Sequence, residues 1–171
     1  MLGVVLVSNV VFEDYSVKVK SALRDKVISF LYEIGGELKS QTQRNSRRKT
    51  SKTAGTYEYK VDEGKQAVHI GSNYQNTIWE EFGTGEHALN GDGRKGWWVY
   101  VEGSPSSGNS STGKTYSSPH EAKMAVVVLR SQGLDAHMTK GKTANRPLFK
   151  AYSSSKSAII TRARKIFGGL S

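Results

Sequence analysis

The 171-residue sequence predicts an α+β fold: a small antiparallel sheet packed by a long N-terminal helix and a C-terminal helix, with an inserted loop-helix segment. Two helical stripes and one alternating run carry that expectation. Leu23, Val27, Phe30, Leu31, Ile34 and Leu38 recur at helical spacing early in the chain, and Phe149, Tyr152, Ile159, Ile160, Ala163, Ile166 and Phe167 do so near its end. Between them, Tyr57, Tyr59 and Val61 alternate with Glu58, Lys60 and Asp62, the period of a half-buried strand. The length suits a single domain, 1–171, with one core.

The first helix is expected over 13–40, with Asp14 or Ser16 as its cap. Gly35-Gly36 then falls in the last turn and weakens it by roughly 1 kcal/mol per glycine relative to alanine, so the end bends or frays. A basic loop follows over 41–55, where Arg44, Arg47, Arg48, Lys49 and Lys52 occur with no acid among them. Those five residues read either as contacts to DNA or an acidic partner, or as a solvated linker. Residues 56–102 are expected to hold the sheet with a short helix. Tyr57 to Val61 and Val68 to Ile70 form a hairpin turning near Glu63-Gly64.

The short helix runs from about Tyr74 to Phe82. Tyr74, Ile78 and Phe82 share one face, Glu80 and Glu81 lie largely on the wetter side, and Gly83 supplies the left-handed stop. Trp97 to Val101 is a strand whose adjacent tryptophans point to opposite faces, one to the core and one to an edge or subunit contact. The segment 103–137 reads as an insertion. Its Ser/Gly-rich part to Ser118 is an exposed loop, and Pro119 opens a helix carrying Ala122, Ala125, Val126, Val128 and Leu129 that ends near Gly133. The C-terminal helix spans 145–168.

Composition narrows the chemistry. Hydrophobic residues are 36%, below the ~45–50% usual for globular domains, so much of the chain is surface, loop or interface. There is no cysteine, which excludes disulfides, thiolate zinc sites and a cysteine nucleophile. The net charge is +10 and no acid follows Asp135, which suits nucleic acid or an acidic protein surface as well as a solvated basic helix. The apolar run Met1 to Phe12 lacks a basic n-region and falls short of the ~20 residues of a membrane span. It reads as a strand or an arm, with no membrane destination and with synthesis and assembly in the cytoplasm.

Gly108 to Thr115 matches the phosphate-binding pattern of two glycines followed by Lys and Thr. Its context does not. A P-loop needs a buried strand leading in and a helix starting at the lysine, whereas here the strand ends by Val101 and Pro119 starts the helix too late. His69, His87, His120 and His137 are scattered, Glu81, Glu86, His87 and Asp92 have no metal-ligand spacing, and no nucleophile with a base can be named. The expectation is no catalysis, no cofactor and no metal.

The ordered set Gly36-Glu37-Leu38-Lys39, Val68-His69-Ile70-Gly71, Glu81-Phe82-Gly83-Thr84-Gly85, Trp98-Val99-Tyr100 and Pro147-Leu148-Phe149, with Thr139-Lys140-Gly141, resembles the tailed-phage tail-completion or head-tail joining (neck) proteins, the lambdoid gene-product-ten-like family. The resemblance covers most of residues 17 to 167. It implies a non-enzymatic structural protein of the virion, at the head-proximal end of the tail and joining it to the neck. Glu81, Phe82, Gly83, Thr84, Gly85, Trp98, Pro147 and Phe149 would be its structural signature. It further implies a homo-oligomeric ring, taken as a hexamer from the general symmetry of tails, touching tail-tube and head-closure proteins and DNA in the lumen. The alternatives are a tail terminator capping tube growth and a non-specific DNA-binding accessory protein. The N-terminal arm and the 103–137 insertion depart from the family pattern.

Overall fold

The computed structural model describes residues 15–47, 52–104 and 108–168. The apolar run 1–12, Asp14, and Arg48 and Lys49 of the basic segment lie outside the described residues. The fold is α+β, in the order α1 (Ser16–Asn45), α2 (Lys52–Gly55), β1 (Glu58–Asp62), β2 (Ala67–Gly71), α3 (Gln75–Phe82), a 3-10 turn (Gly85–His87), β3 (Trp97–Ser104), β4 (Gly108–Tyr116), α4 (Pro119–Ser131), β5 (Ala136–Thr139) and α5 (Pro147–Phe167). Among the described residues no helix is long and apolar enough to cross a membrane.

α1 runs past its expected end at 40 and takes up the first residues assigned to the basic loop. Ser16 lies inside the helix rather than capping it, and Tyr15 at the cap position makes no side-chain cap bond. The buried face of α1, Phe30, Leu31, Ile34 and Leu38, packs against the hairpin and α5. Gly35 and Gly36 are therefore mid-helix. A Cβ on Gly35 would overlap the Tyr59 ring and sit 2.9 Å from Val68 Cγ2, so this glycine lets the hairpin lie directly on the helix backbone. That close packing stabilises the stretch where intrinsic propensity is poorest.

The hairpin forms as expected, and its register sets Tyr59 opposite Ile70 and Val61 opposite Val68. Its turn is held by the Lys65 N–H donating to Asp62 Oδ1 at 2.9 Å. α5 contacts the rest of the first core through every fourth residue: Pro147, Ala151 and Ser155 are buried, and Ile159, Ala163 and Phe167 pack on the α1 cluster. Phe167 meets Phe30 edge-on with ring centroids 5.8 Å apart. Arg162 binds Glu33 at 2.7 Å and also Glu37 across the two helices. The expected apolar stripe was partly misplaced: Phe149, Tyr152, Ile160 and Ile166 are exposed, because the small side chains of Ala151 and Ser155 permit the close approach.

The sheet is two sheets. β1 and β2 form a two-stranded hairpin, while β3 sits between β4 and β5 in a separate antiparallel sheet. Val99, Ala122, Val126 and Ala136 make a second core under α4, with Trp97, Tyr116 and Met138 packed on it. The segment 103–137 thus supplies β4, α4 and the start of β5, and is half of a core rather than an exposed loop-helix appendage. The loop expected before Pro119 contains β4, a strand hidden from sequence reading by its run of Ser, Thr and Gly. α4 starts at Pro119 as expected, with the Ser118 side chain accepting from the Glu121 N–H.

The face of α3 is inverted relative to expectation. Glu80 and Glu81 are buried, at 1% and 8% exposure, whereas Ile78 and Phe82 are 58% and 49% exposed. Replacement of the two adjacent glycines should separate packing from propensity. Gly36 has open space where a Cβ would go, so Gly36→Ala is expected to raise the unfolding free energy by up to about 1 kcal/mol in urea titrations. Gly35→Ala is expected to lower it by about 1–3 kcal/mol through overpacking against Tyr59 and Val68.

Candidate functional site

The buried glutamates of α3 mark the site. α5 is preceded by Arg146, a non-glycine residue at φ 58 in the cap position, whose side chain makes no cap bond. Glu81 supplies the cap from another helix: its Oε2 accepts from the Leu148 N–H at 2.9 Å and its Oε1 from the Phe149 N–H at 3.0 Å. Pro147 at the first helical position has no N–H, and the Lys150 N–H already bonds the Arg146 carbonyl at 2.9 Å. All of the first-turn donors are accounted for, and the carboxylate lies at the positive end of the helix dipole.

Glu80 ties the neighbouring chain ends together. Its carboxylate accepts from the Arg47 N–H at 2.6 Å and from Asn145 Nδ2 at 3.0 Å, while its carbonyl accepts from the N–H groups of Asn145 and Arg146. Asn145 Nδ2 also donates to the Asn45 carbonyl at 2.7 Å, in the last turn of α1 where helix carbonyls lack partners. The end of α1, the end of α3 and the start of α5 are joined in this one cluster. Burial pushes the Lys142 ammonium below its usual pKa, with the Glu80 carboxylate opposing that shift and Arg47 adding to it.

The chain leaves the first core at Gly83 and returns to it through 140–146, and these two crossings are stitched together. The Thr84 N–H donates to the Lys142 carbonyl, the Glu86 N–H to the Lys140 carbonyl and the Lys142 N–H to Thr84 Oγ1, each at 2.9 Å. The glycines are required by contact as well as conformation. Gly83 has φ 74 and ψ −178, a positive φ as expected for a helix stop but paired with an extended ψ that is essentially closed to other residues. A Cβ on Gly85 would overlap the Lys140 carbonyl and the Trp98 ring, and one on Gly141 would overlap the Thr84 carbonyl. The Gly96 N–H and, secondarily, Lys140 hold the Glu86 carboxyl below the usual range.

Beside this junction lies a cleft of about 410 Å³ lined by Trp79, Trp98, Tyr100, Arg94 and Lys142 among others. Trp97 and Trp98 do point to opposite faces: Trp97 packs on the second core and Trp98 faces the cleft, with the Arg94 guanidinium 5.3 Å from its ring centre. The tryptophan pair was legible from strand alternation, but Trp79, Arg94 and Lys142 carry no sequence signal that groups them.

Most of the signature converges here. Glu81, Gly83, Thr84, Gly85 and Trp98, with the backbone at Pro147 and Phe149, share the junction, while the side chains of Phe82 and Phe149 face solvent. The described basic residues, Arg44, Arg47 and Lys52, each have separate partners. Arg47 Nη2 donates to the Thr143 carbonyl at 2.9 Å, Arg44 bonds Gln41 along α1, and Lys52 lies 5.3 Å from the Tyr74 ring centre. The phosphate-loop look-alike lies on β4, with Lys114 over the Tyr116 ring and no helix starting there. His137 lies 2.9 Å from Asp135 Oδ1 and 3.5 Å from Glu102 Oε2, a grouping across the β3–β5 pair that residue spacing does not reveal. Its ring stacks on Tyr100, a packing contact between the two strands.

No family model, curated protein or solved structure matches the chain.

The junction makes two expectations. Glu81→Ala removes the acceptor of two part-buried first-turn N–H groups and should cost about 1–2 kcal/mol in urea unfolding, whereas Ile78→Ala on the exposed face should change stability by less than about 0.5 kcal/mol. Tyr57 is fully buried beside the same cluster and its hydroxyl has no hydrogen-bond partner of ordinary geometry. Burial pushes its pKa up to about 12; the nearby Ser46 hydroxyl opposes the rise, and Glu80 and Glu81 add to it. A raised folded-state pKa means the associated stability is intact below pH 10 and is lost as pH climbs from 10 towards 12. Unfolding titrations over that window should therefore show a steeper loss for the native chain than for Tyr57→Phe.

Proposed function

We infer that this chain is a structural component of a tailed phage or phage-like particle, acting at the head-proximal end of the tail to complete it and join it to the neck. The observation that carries the reading is the convergence just described. Glu81 caps the helix opened by Pro147-Leu148-Phe149, and Thr84-Gly85 interlocks with Lys140-Gly141-Lys142 against Trp98. Segments separated by more than fifty residues thus serve one another, which supports treating the family-like pattern as a folded unit rather than as chance matches. In that unit Glu80 and Glu81 have backbone-binding work to do, so their burial needs no acid-base role.

In this reading the protein works as a homo-oligomeric ring, and its basic surface, including Arg44, faces DNA or acidic neighbours. A rigid junction between two small cores suits such a part, because ring contacts demand that both halves keep their relative placement.

Electron microscopy of particles assembled without the protein tests the reading. Finished tails lying apart from filled heads are the expected result. Overlong tails would move the role to terminator. Normal joined particles would remove both tail roles, and salt-dependent duplex binding, with log K falling linearly in log salt, would then favour the DNA-binding accessory role.

A further inference from the structure

The face of the second sheet turned away from α4 carries side chains that the junction does not use. Val99 and Ala136 point into the core under α4. The residues that alternate with them, Tyr100 on β3 and His137 on β5, face the other way and are direct cross-strand partners. Two positions beyond Tyr100 and two before His137, Glu102 and Asp135 lie side by side, the Glu102 N–H donating to the Asp135 carbonyl at 2.8 Å. One face of one strand pair thus presents an imidazole and two carboxylates on backbone already fixed by its own hydrogen bonds.

Their donor atoms converge. His137 Nε2 lies 2.9 Å from Asp135 Oδ1 and 3.5 Å from Glu102 Oε2, and one ligand atom from each residue falls within 4.8 Å of the other two. Bonding within the protein does not account for this. Nε2 is shielded from water and, among the described residues, has no hydrogen-bond partner; Asp135 Oδ1 is near enough but lies off the line that an Nε2–H would take. Neither carboxylate pairs with a Lys or Arg among the described residues, although the chain holds 25 of these against 15 acids. An imidazole lone pair and two carboxylates at these distances repel one another, and a cation held between them turns that repulsion into attraction.

We propose that Glu102, Asp135 and His137 form a binding site for a divalent first-row transition-metal ion of the zinc class, clamping β5 to β3. The dimensions fit. Two ligands each about 2.1 Å from a tetrahedral ion stand about 3.4 Å apart, and the observed separations of 2.9 and 3.5 Å bracket that value. The imidazole sets the class of ion, because it suits zinc, nickel or copper, whereas calcium and magnesium seek shells of oxygen. Three protein ligands leave one tetrahedral position open to water or to a group brought by a ligand. The site does not rest on the tail role, and it is tested on purified protein, so the two readings fail separately.

The untagged full chain, stripped with chelator, is titrated with Zn²⁺ in a calorimeter and with Co²⁺ in a spectrophotometer. The expected result is saturable binding of one ion per chain, d–d absorption of the intensity typical of four-coordinate Co²⁺, and a melting temperature that rises with Zn²⁺ but not with the same concentration of Mg²⁺. Glu102→Gln and Asp135→Asn change exposed side chains, so each should still melt cooperatively without metal while binding Zn²⁺ about tenfold or more weakly. His137→Gln should abolish the Co²⁺ spectrum, whereas His120→Gln, at an exposed position on α4, should bind as the native chain does. No saturable Zn²⁺ binding by the native chain would overturn the proposal. So would Zn²⁺ affinity that survives the carboxylate and His137 substitutions, or an equal response to Mg²⁺.

Discussion

Two adjacent carboxylates buried on a one-domain scale are the constraint from which the rest of this fold follows. Glu80 and Glu81 sit where the chain must end one helix, start another and hold the end of a third, and each of these termini presents backbone groups that lack partners within their own helix. Bare ionised groups in such a place would be prohibitively costly. Here they are satisfied by four donors from the backbone and from Asn145, with the α5 dipole favouring the negative charge of Glu81. The cost of burying the charge and the cost of leaving helix ends unpaired cancel against each other.

That junction also determines how two modest cores act as one body. The first core is helical and hairpin-based, around Phe30, Leu31 and Ile34; the second is a three-stranded sheet under one helix, around Val99, Ala122, Val126 and Ala136. Neither is large. Their relative position is set where outgoing residues 83–86 and returning residues 140–142 exchange backbone hydrogen bonds. Such contact distances leave no room for side chains, which is why Gly85 and Gly141 meet backbone directly and why the ring of Trp98 can close over the crossing.

With polar backbone groups drawn inward to glutamates, apolar residues are left on the outside. Ile78, Phe82, Phe149 and Tyr152 are all about half exposed on α3 and α5. A lone exposed apolar residue is ordinary, but this distribution is the inverse of the pattern an isolated amphipathic helix adopts. The ring of His137, stacked on Tyr100, joins two strands of the second sheet, as Arg162 joins the helices of the first core through Glu33 and Glu37.

The sequence by itself determined the elements whose signals are local. Alternation at Tyr59, Val61, Val68 and Ile70 defined the hairpin, Pro119 marked the start of α4, Gly83 marked the stop of α3, and strand alternation sent Trp97 and Trp98 to opposite faces. Tertiary structure alone decided the faces and the partners. Glu80 and Glu81 look solvent-bound until the N-terminus of α5, more than sixty residues away, arrives to bond them. Gly35 looks like a weak helix end until the hairpin lies on it. β4 looks like a Ser/Gly loop until β3, the strand just before it, offers it a ladder that holds a segment local propensity would leave unpaired. For the glutamates and for Gly35 the deciding interaction is between segments far apart in the chain, where periodicity carries no information; for β4 it is the ladder with its neighbouring strand.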